Sequence, residues 1–120
     1  MAKNTMTTVT AEQITDWMIG DIKDGVKDNK GYPVSGIYTL MDDGEGNKIT
    51  LQLAKEFSGH GNDEFLLSLE DNIFYSSIEI SVYNGFSREN ILEQVGAIMQ
   101  DVASREEEYT QLPEDFQKHF

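Results

Sequence analysis

Apolar residues recur along this chain at two different periods, and the change of period separates predicted strands from predicted helices. Between residues 63 and 84 the period is two, with Asp71-Asn72 dividing the stretch into halves. Because successive side chains of a strand point to opposite faces, this period predicts one apolar and one polar face. Both residue types at the division tolerate the backbone of a tight turn. The stretch is therefore predicted to form an antiparallel hairpin with these residues on its apolar face: Phe65, Leu67, Leu69, Phe74, Ile78, Ile80 and Val82.

Two further strands are predicted before this hairpin. The first covers residues 34–41, after a break at Tyr32-Pro33, and the second covers residues 48–57. Residues 42–47 have the composition of a turn, and residues 58–62 that of a flexible connection. Because strands joined by short connections usually lie side by side, we expect the four strands to form a meander.

A helix is predicted before the strands. Thr10 and Gln13 have the spacing of a capping box, in which each residue satisfies a backbone N–H of the other. We expect the helix to end between Val26 and Lys30, and residues 1–9 to form a flexible lead-in. The apolar face of this helix recurs at intervals of three and four and comprises Ile14, Trp17, Met18, Ile22 and Val26.

A second helix is predicted after the strands, with Ser87 as its N-cap. Its apolar stripe, which reaches about Ser104, comprises Ile91, Leu92, Val95, Ile98, Met99 and Val102. Residues 105–120 are expected to be an acidic tail, in which a short helix could begin at Pro113. Both apolar stripes must be buried, so we expect both helices to pack on the apolar face of the sheet. The predicted fold is one α+β domain over residues 1–120, with a four-stranded antiparallel meander in the order α-β-β-β-β-α.

Composition adds a strong negative charge to this picture. The 120 residues include 22 acidic and 9 basic side chains, for a formal net charge of −13. Such charge is typical of disorder, but 38% hydrophobic residues at clear periods favour folding. An acidic chain is a poor ligand for nucleic acid or an anionic membrane. With no cysteine and no apolar signal segment, we expect a cytoplasmic protein without disulfides.

Patterns of catalytic and metal-binding residues are weak. His60 lies between two glycines and His119 is next to the last residue, so no neighbouring residue positions either as a general base. The acidic turn at residues 42–47 lacks the glycine and the distal glutamate of a calcium-binding EF-hand loop. We expect no enzyme, no cofactor and no metal site. The remaining enzymatic hypothesis combines His60 with Asp63 or Glu64.

Carboxylates are concentrated outside the predicted core. In a meander, the turns after the first and third strands lie at one end of the sheet. We therefore expect these five carboxylates to lie together: Asp42, Asp43, Glu45, Glu70 and Asp71. A separate acidic group near the carboxyl terminus comprises Glu106, Glu107 and Glu108. Tyr75 and Tyr83 are expected near the polar face as aromatic contact residues.

Acidic side chains held on a rigid body steer an electropositive partner towards them. A nucleic-acid duplex carries one charge per about 1.7 Å of its axis, so an acidic ridge can occupy a groove built for phosphates. The hypothesis is a small inhibitor, monomeric or dimeric, of a basic nuclease or nucleic-acid-binding complex. Phage anti-restriction and anti-CRISPR proteins are the class that this hypothesis favours, and small acidic immunity proteins that neutralise basic nucleases use the same physics. The alternative is a secretion-type chaperone or another acidic protein-binding module, although the sequence predicts no helix within its sheet.

Overall fold

A five-stranded antiparallel sheet and two helices make up the computed structural model, which describes residues 4–57, 63–82 and 87–111. The strands lie in sequence order across the sheet. The predicted α+β fold is confirmed, with one strand more than expected. In chain order the elements are β1 (Thr5–Met6), α1 (Ala11–Lys23), β2 (Tyr38–Asp42), β3 (Lys48–Phe57), β4 (Asp63–Asp71), β5 (Ile78–Val82) and α2 (Arg88–Gln111).

The additional strand, β1, lies in the segment that was expected to be a lead-in. Thr5 and Met6 pair with Asp42 and Met41 of β2. The Thr7 N–H extends the pairing by donating to the carbonyl of Leu40 at 2.8 Å. A strand of two residues shows no period in the sequence. Its position depends on the free edge of β2, which only the folded sheet provides.

β2 contains a β-bulge that places two neighbouring side chains in the core. Thr39 pairs with Thr50, but Met41 pairs with Ile49, so the register shifts between these positions. Leu40 and Met41 are both fully buried. Regular alternation would expose one of them, whereas a bulge can turn two successive residues towards the same face.

The ladder of β2 begins later than predicted because residues 33–37 pair irregularly with β3. Val34 forms an isolated bridge with Ala54. The Ser35 N–H donates to the Leu53 carbonyl at 2.7 Å, and the Leu53 N–H donates to the Ser35 hydroxyl at 2.9 Å. A side chain thus replaces a backbone acceptor, and regular pairing starts only at Tyr38.

α1 begins as predicted and ends earlier. Thr10 Oγ1 accepts from the Gln13 N–H at 3.1 Å, and Gln13 Oε1 accepts from the Thr10 N–H at 3.0 Å, which completes the capping box. The helix ends at Lys23 because Gly25 adopts a φ of +84°, the left-handed conformation that commonly terminates helices. The expected end between Val26 and Lys30 is therefore wrong.

The core lies between the two helices and one face of the sheet. α1 buries Ile14, Thr15, Met18 and Ile19. Its buried face is therefore rotated about the helix axis from the predicted face, with Thr15 and Ile19 inside the core. Trp17, which was expected in the core, is 46% exposed and stacks on Tyr38 at a centroid distance of 5.8 Å. Each fully buried aliphatic side chain contributes roughly 1.5–3 kcal/mol. The sheet and α2 contribute Leu40, Met41, Ile49, Leu51, Leu53, Leu67, Leu69, Ile91, Val95, Ile98 and Val102.

α2 extends to Gln111, past the predicted end near Ser104. Asp16 of α1 pairs with Arg88 at the start of α2, whereas residues 10–12 border residues 92–100, so the two helices run antiparallel. The last turns of α2 therefore continue beyond α1. Neither described helix combines the length and apolarity needed to cross a membrane. The short helix predicted from Pro113 lies outside the described residues.

Candidate partner-binding surface

The β2–β3 turn (residues 43–47) and the β4–β5 loop (residues 72–77) lie at the same end of the sheet. Lys48 pairs with Asp42 on one side, and its neighbour Ile49 pairs with Asp71 on the other. The Asn72 N–H also donates to the Lys48 carbonyl at 3.1 Å. The start of β3 thus connects the two turns, as the meander topology requires.

The last turns of α2 reach this same end. Arg105 Nη1 donates to the hydroxyl of Ser76 in the β4–β5 loop. Glu106 Oε2 accepts from Asn4 Nδ2 at 2.8 Å, directly before β1. The carboxyl-terminal acids, which the sequence presented as a separate group, therefore lie beside the hairpin acids. We call this surface the acidic end and define it by Asp42, Asp43, Glu45, Glu70, Glu106, Glu107 and Glu108.

Hydrogen bonds within the β2–β3 turn orient two of these carboxylates. Asp42 Oδ1 accepts from the Gly44 N–H at 2.7 Å. Asp43 Oδ1 accepts from the N–H groups of Glu45 and Asn47, at 2.7 and 3.0 Å. The N–H of Glu45 is the main cause that holds the pKa of Asp43 below its ordinary value. Asp43 thus stays ionised to lower pH than a free aspartate.

The side chain of Asp71, at the end of β4, is buried and binds the β4–β5 loop instead of lying on the exposed surface. It is 3% exposed, and its Oδ1 accepts from the N–H groups of Ile73 and Phe74 at 2.9 and 2.7 Å. Its Oδ2 accepts from the Ser76 hydroxyl at 2.7 Å. The predicted tight turn at Asp71-Asn72 is therefore wrong, because the connection spans residues 72–77. Burial removes Asp71 from the candidate contact residues.

Tyr75 projects from this loop instead of from a strand, where the sequence pattern had placed it. Its φ is +60°, and it is 74% exposed, more than any other large hydrophobic residue described. Tyr83, the second aromatic contact residue predicted, lies outside the described residues. The same is true of His60, so the enzymatic hypothesis stays a prediction.

Both cations described at the acidic end already face a carboxylate. Lys48 Nζ lies 4.0 Å from Asp42 Oδ2, and Arg105 Nε lies 3.0 Å from Asp101 Oδ2. Lys55 lies further along β3, where its N–H donates to the Pro33 carbonyl. The other described cations lie on segments away from the acidic end, where acids such as Asp24 and Asp28 accompany them: Lys23, Lys27, Lys30, Lys55 and Arg88.

A shallow depression adjoins the β4–β5 loop. Its volume is about 400 Å³, and its lining comprises Ser68, Leu69, Glu70, Ser77, Ile78 and Glu79. Glu79 was not among the predicted contact residues. Its place beside Glu70 follows from the pairing of Ser68 with Glu79, which depends on the register of β4 and β5. Among the described residues, no three acidic, histidine or cysteine side chains are grouped as metal ligands would be.

Comparison with known proteins gives no match. No family model fits the chain, and no curated protein or solved structure is significantly similar to it. We therefore infer function from the geometry and charge of the acidic end.

Proposed function

We propose that this protein is a small non-enzymatic inhibitor that binds a basic nuclease or another basic nucleic-acid-binding protein through its acidic end. It would do so by mimicking the charge of nucleic acid, as an inhibitor of the anti-restriction, anti-CRISPR or nuclease-immunity type. The observation that carries the proposal is the convergence of carboxylates from three separate segments on one end of the fold. The proposal includes a cytoplasmic location, where such targets act, and a monomeric or dimeric state.

The spacing of these carboxylates suits a surface that imitates a row of phosphates. Neighbouring strands lie about 4.8 Å apart, so side chains on the turn and on β4 lie within a few such intervals. Glu45 and Glu70 are exposed, and α2 adds exposed Glu107 and Glu108. Gathered like charges raise the local negative potential and increase the rate at which a basic partner is captured.

Internal bonds hold this surface in shape before any partner arrives. The Asp43 bonds fix the β2–β3 turn, and the Asp71 bonds fix the β4–β5 loop. Arg105 joins α2 to the loop, and Glu106 joins α2 to the start of β1. A preorganised surface loses less conformational entropy on binding, which favours affinity.

The first test is capture from a lysate of the native host on the immobilised protein at low salt, followed by a salt gradient. The expected result is a basic nuclease or nucleic-acid-binding protein released at moderate salt, because charge attraction is screened within ~8–10 Å at physiological ionic strength. Added nucleic acid should compete with the immobilised protein for that partner. A captured partner that nucleic acid does not displace would contradict charge mimicry.

A matched pair of variants locates the interface. The test variant combines Glu45→Gln, Glu70→Gln and Glu108→Gln at the acidic end, and we expect it to slow association strongly. The control variant removes the same number of charges elsewhere, through Asp24→Asn, Glu89→Gln and Glu93→Gln. Equal effects of both variants would show that net charge, not the acidic end, drives binding. An unfolded client as the captured species would favour the chaperone alternative.

A further inference from the structure

Tyr75 occupies a backbone conformation that suits its residue type poorly. A positive φ is common for glycine and tolerated by asparagine, but for a bulky aromatic residue it is an outlier. The ring gains little from the fold in return, because Tyr75 is 74% exposed. Backbone strain of this kind clusters at active sites, ligand clamps and switch regions, so an outlier with an exposed side chain points to a function for that side chain.

The loop on both sides of Tyr75 is fixed to the body of the protein. Before it, Ile73 is buried and Phe74 packs against the core. After it, the Ser76 hydroxyl donates to Asp71 and accepts from Arg105, and the Ser77 hydroxyl accepts from the Asp71 N–H at 3.1 Å. The exposed ring is thus presented by a rigid loop, as interface anchors are.

The adjoining depression has the lining that a basic side chain requires. Ile78 supplies the exposed apolar surface, because it lies on the edge strand β5 and is 44% exposed, whereas the paired Leu69 is only 4% exposed. Glu70 and Glu79 supply carboxylates on the polar face, and neither forms an ion pair within the described residues. An arginine or lysine buries its aliphatic stem on apolar surface while its charged group meets carboxylates.

We propose that Tyr75 and this depression together form the docking point for a basic partner protein. The Tyr75 ring enters an apolar recess of the partner, and an arginine or lysine of the partner lies between Glu70 and Glu79. This inference rests on the proposed function and adds the residues that anchor the same interface. It assigns Tyr75 a role in slowing dissociation, because an inserted ring acts at short range, whereas the surrounding charges also speed association.

The experiment compares variants against the purified basic protein obtained in the capture experiment. Tyr75→Asn keeps a residue type that tolerates the left-handed backbone. We expect it to raise Kd at least about tenfold through faster dissociation, with the association rate unchanged. The slope of affinity against salt should stay the same, because no charge is lost. Ile37→Ser is the matched control, since Ile37 is 66% exposed and precedes β2, outside the docking point. We expect its Kd to stay within about twofold of the unchanged protein.

The depression is tested with Glu70→Gln combined with Glu79→Gln. We expect weaker binding and a smaller salt slope than in the control pair Glu89→Gln with Glu93→Gln, which removes the same charge from α2. Equal behaviour of the two pairs would overturn the assignment of the depression.

The outcomes separate this inference from the proposed function. Binding that is salt-sensitive but insensitive to Tyr75→Asn overturns the docking point and leaves the inhibitor proposal standing. Failure to capture any basic protein overturns both. Chemical denaturation of Tyr75→Asn gives a readout without a partner: its midpoint should equal or exceed that of the unchanged protein. A clearly lower midpoint would show that the ring serves folding, and would overturn the inference.

Discussion

Arg105 and Ser76 join the second helix to the β4–β5 loop, with Arg105 Nη1 donating to Ser76 Oγ across 29 positions of sequence. The same hydroxyl donates to the buried carboxylate of Asp71 at 2.7 Å. One serine therefore connects a helix, a loop and a strand end. This connection brings the acids of α2 beside those of the hairpin turns.

We expect Arg105→Ala to lower the free energy of unfolding by about 1.5 kcal/mol. The variant loses a hydrogen bond worth about 1 kcal/mol and an exposed ion pair worth about 0.3–0.5 kcal/mol. Asp101→Asn is the control, because it removes only the ion pair with Arg105. Denaturant unfolding measures both. Equal losses in the two variants would mean that the bond to Ser76 contributes nothing.

Tyr75 is expected to destabilise the fold in which it sits. The left-handed backbone costs a residue with a side chain about 1–2 kcal/mol, and glycine adds up to about 1 kcal/mol of unfolded-state entropy. Tyr75→Gly should therefore match or exceed the stability of the unchanged protein by up to about 1 kcal/mol. Tyr75→Val, which is β-branched, should be less stable than Tyr75→Gly. The reverse order in thermal or denaturant unfolding would show that the loop does not hold this conformation in solution.

The Tyr38 hydroxyl should ionise at a higher pH than the hydroxyl of a free tyrosine. Burial, and secondly its 2.6 Å hydrogen bond to Asp21 Oδ2, raise the pKa of Tyr38 from 10.0 to about 12. The folded protein holds this proton more tightly than the unfolded chain does. The contribution of the protonated hydroxyl to folding stability is therefore complete below pH 10 and is lost as pH rises through about 12. Ultraviolet titration against Tyr38→Phe should isolate this ionisation. Asp21→Asn should lower the pKa only in part, because burial is the larger cause.

Two glycines near the end of α1 should respond in opposite ways to alanine. Gly20 lies within the helix, and no atom lies within 4 Å of the position that an alanine methyl group would take. Gly20→Ala should therefore stabilise the protein by about 0.5–1 kcal/mol. Gly25 has equal space but a φ of +84°, so Gly25→Ala should destabilise by about 1 kcal/mol. Denaturant unfolding measures both variants. A stabilising Gly25→Ala would show that α1 continues past Lys23 in solution.

Local signals in the sequence were sufficient for most of the fold. The Thr10–Gln13 capping box is present, and Ile49, Leu51 and Leu53 are buried as their period predicted. These features depend on neighbours within a few positions. By contrast, the bulge at Leu40 and the strand at Thr5 and Met6 depend on the register of paired strands.

The candidate site shows the same division between local and distant causes. That the two turns share one end follows from strand order alone. The burial of Asp71 does not follow from strand order. The sequence around an aspartate that accepts loop N–H groups looks the same as the sequence around an aspartate exposed in a turn. The approach of Glu106 to Asn4 joins positions 102 apart, for which a single sequence carries no signal.

The gathering of seven carboxylates with only two described cations at the acidic end makes the charge of the molecule uneven, which adds an electric dipole to its net charge. Glu45 and Glu70 lie at the negative pole, whereas at the opposite end Lys27 and Lys55 offset in part the acids of the same segments, such as Asp24 and Asp28. In the field of an oppositely charged surface, such a dipole experiences a torque that turns its negative pole forward before contact. Lysines that never touch a partner would thereby contribute to the orientation in which the protein arrives.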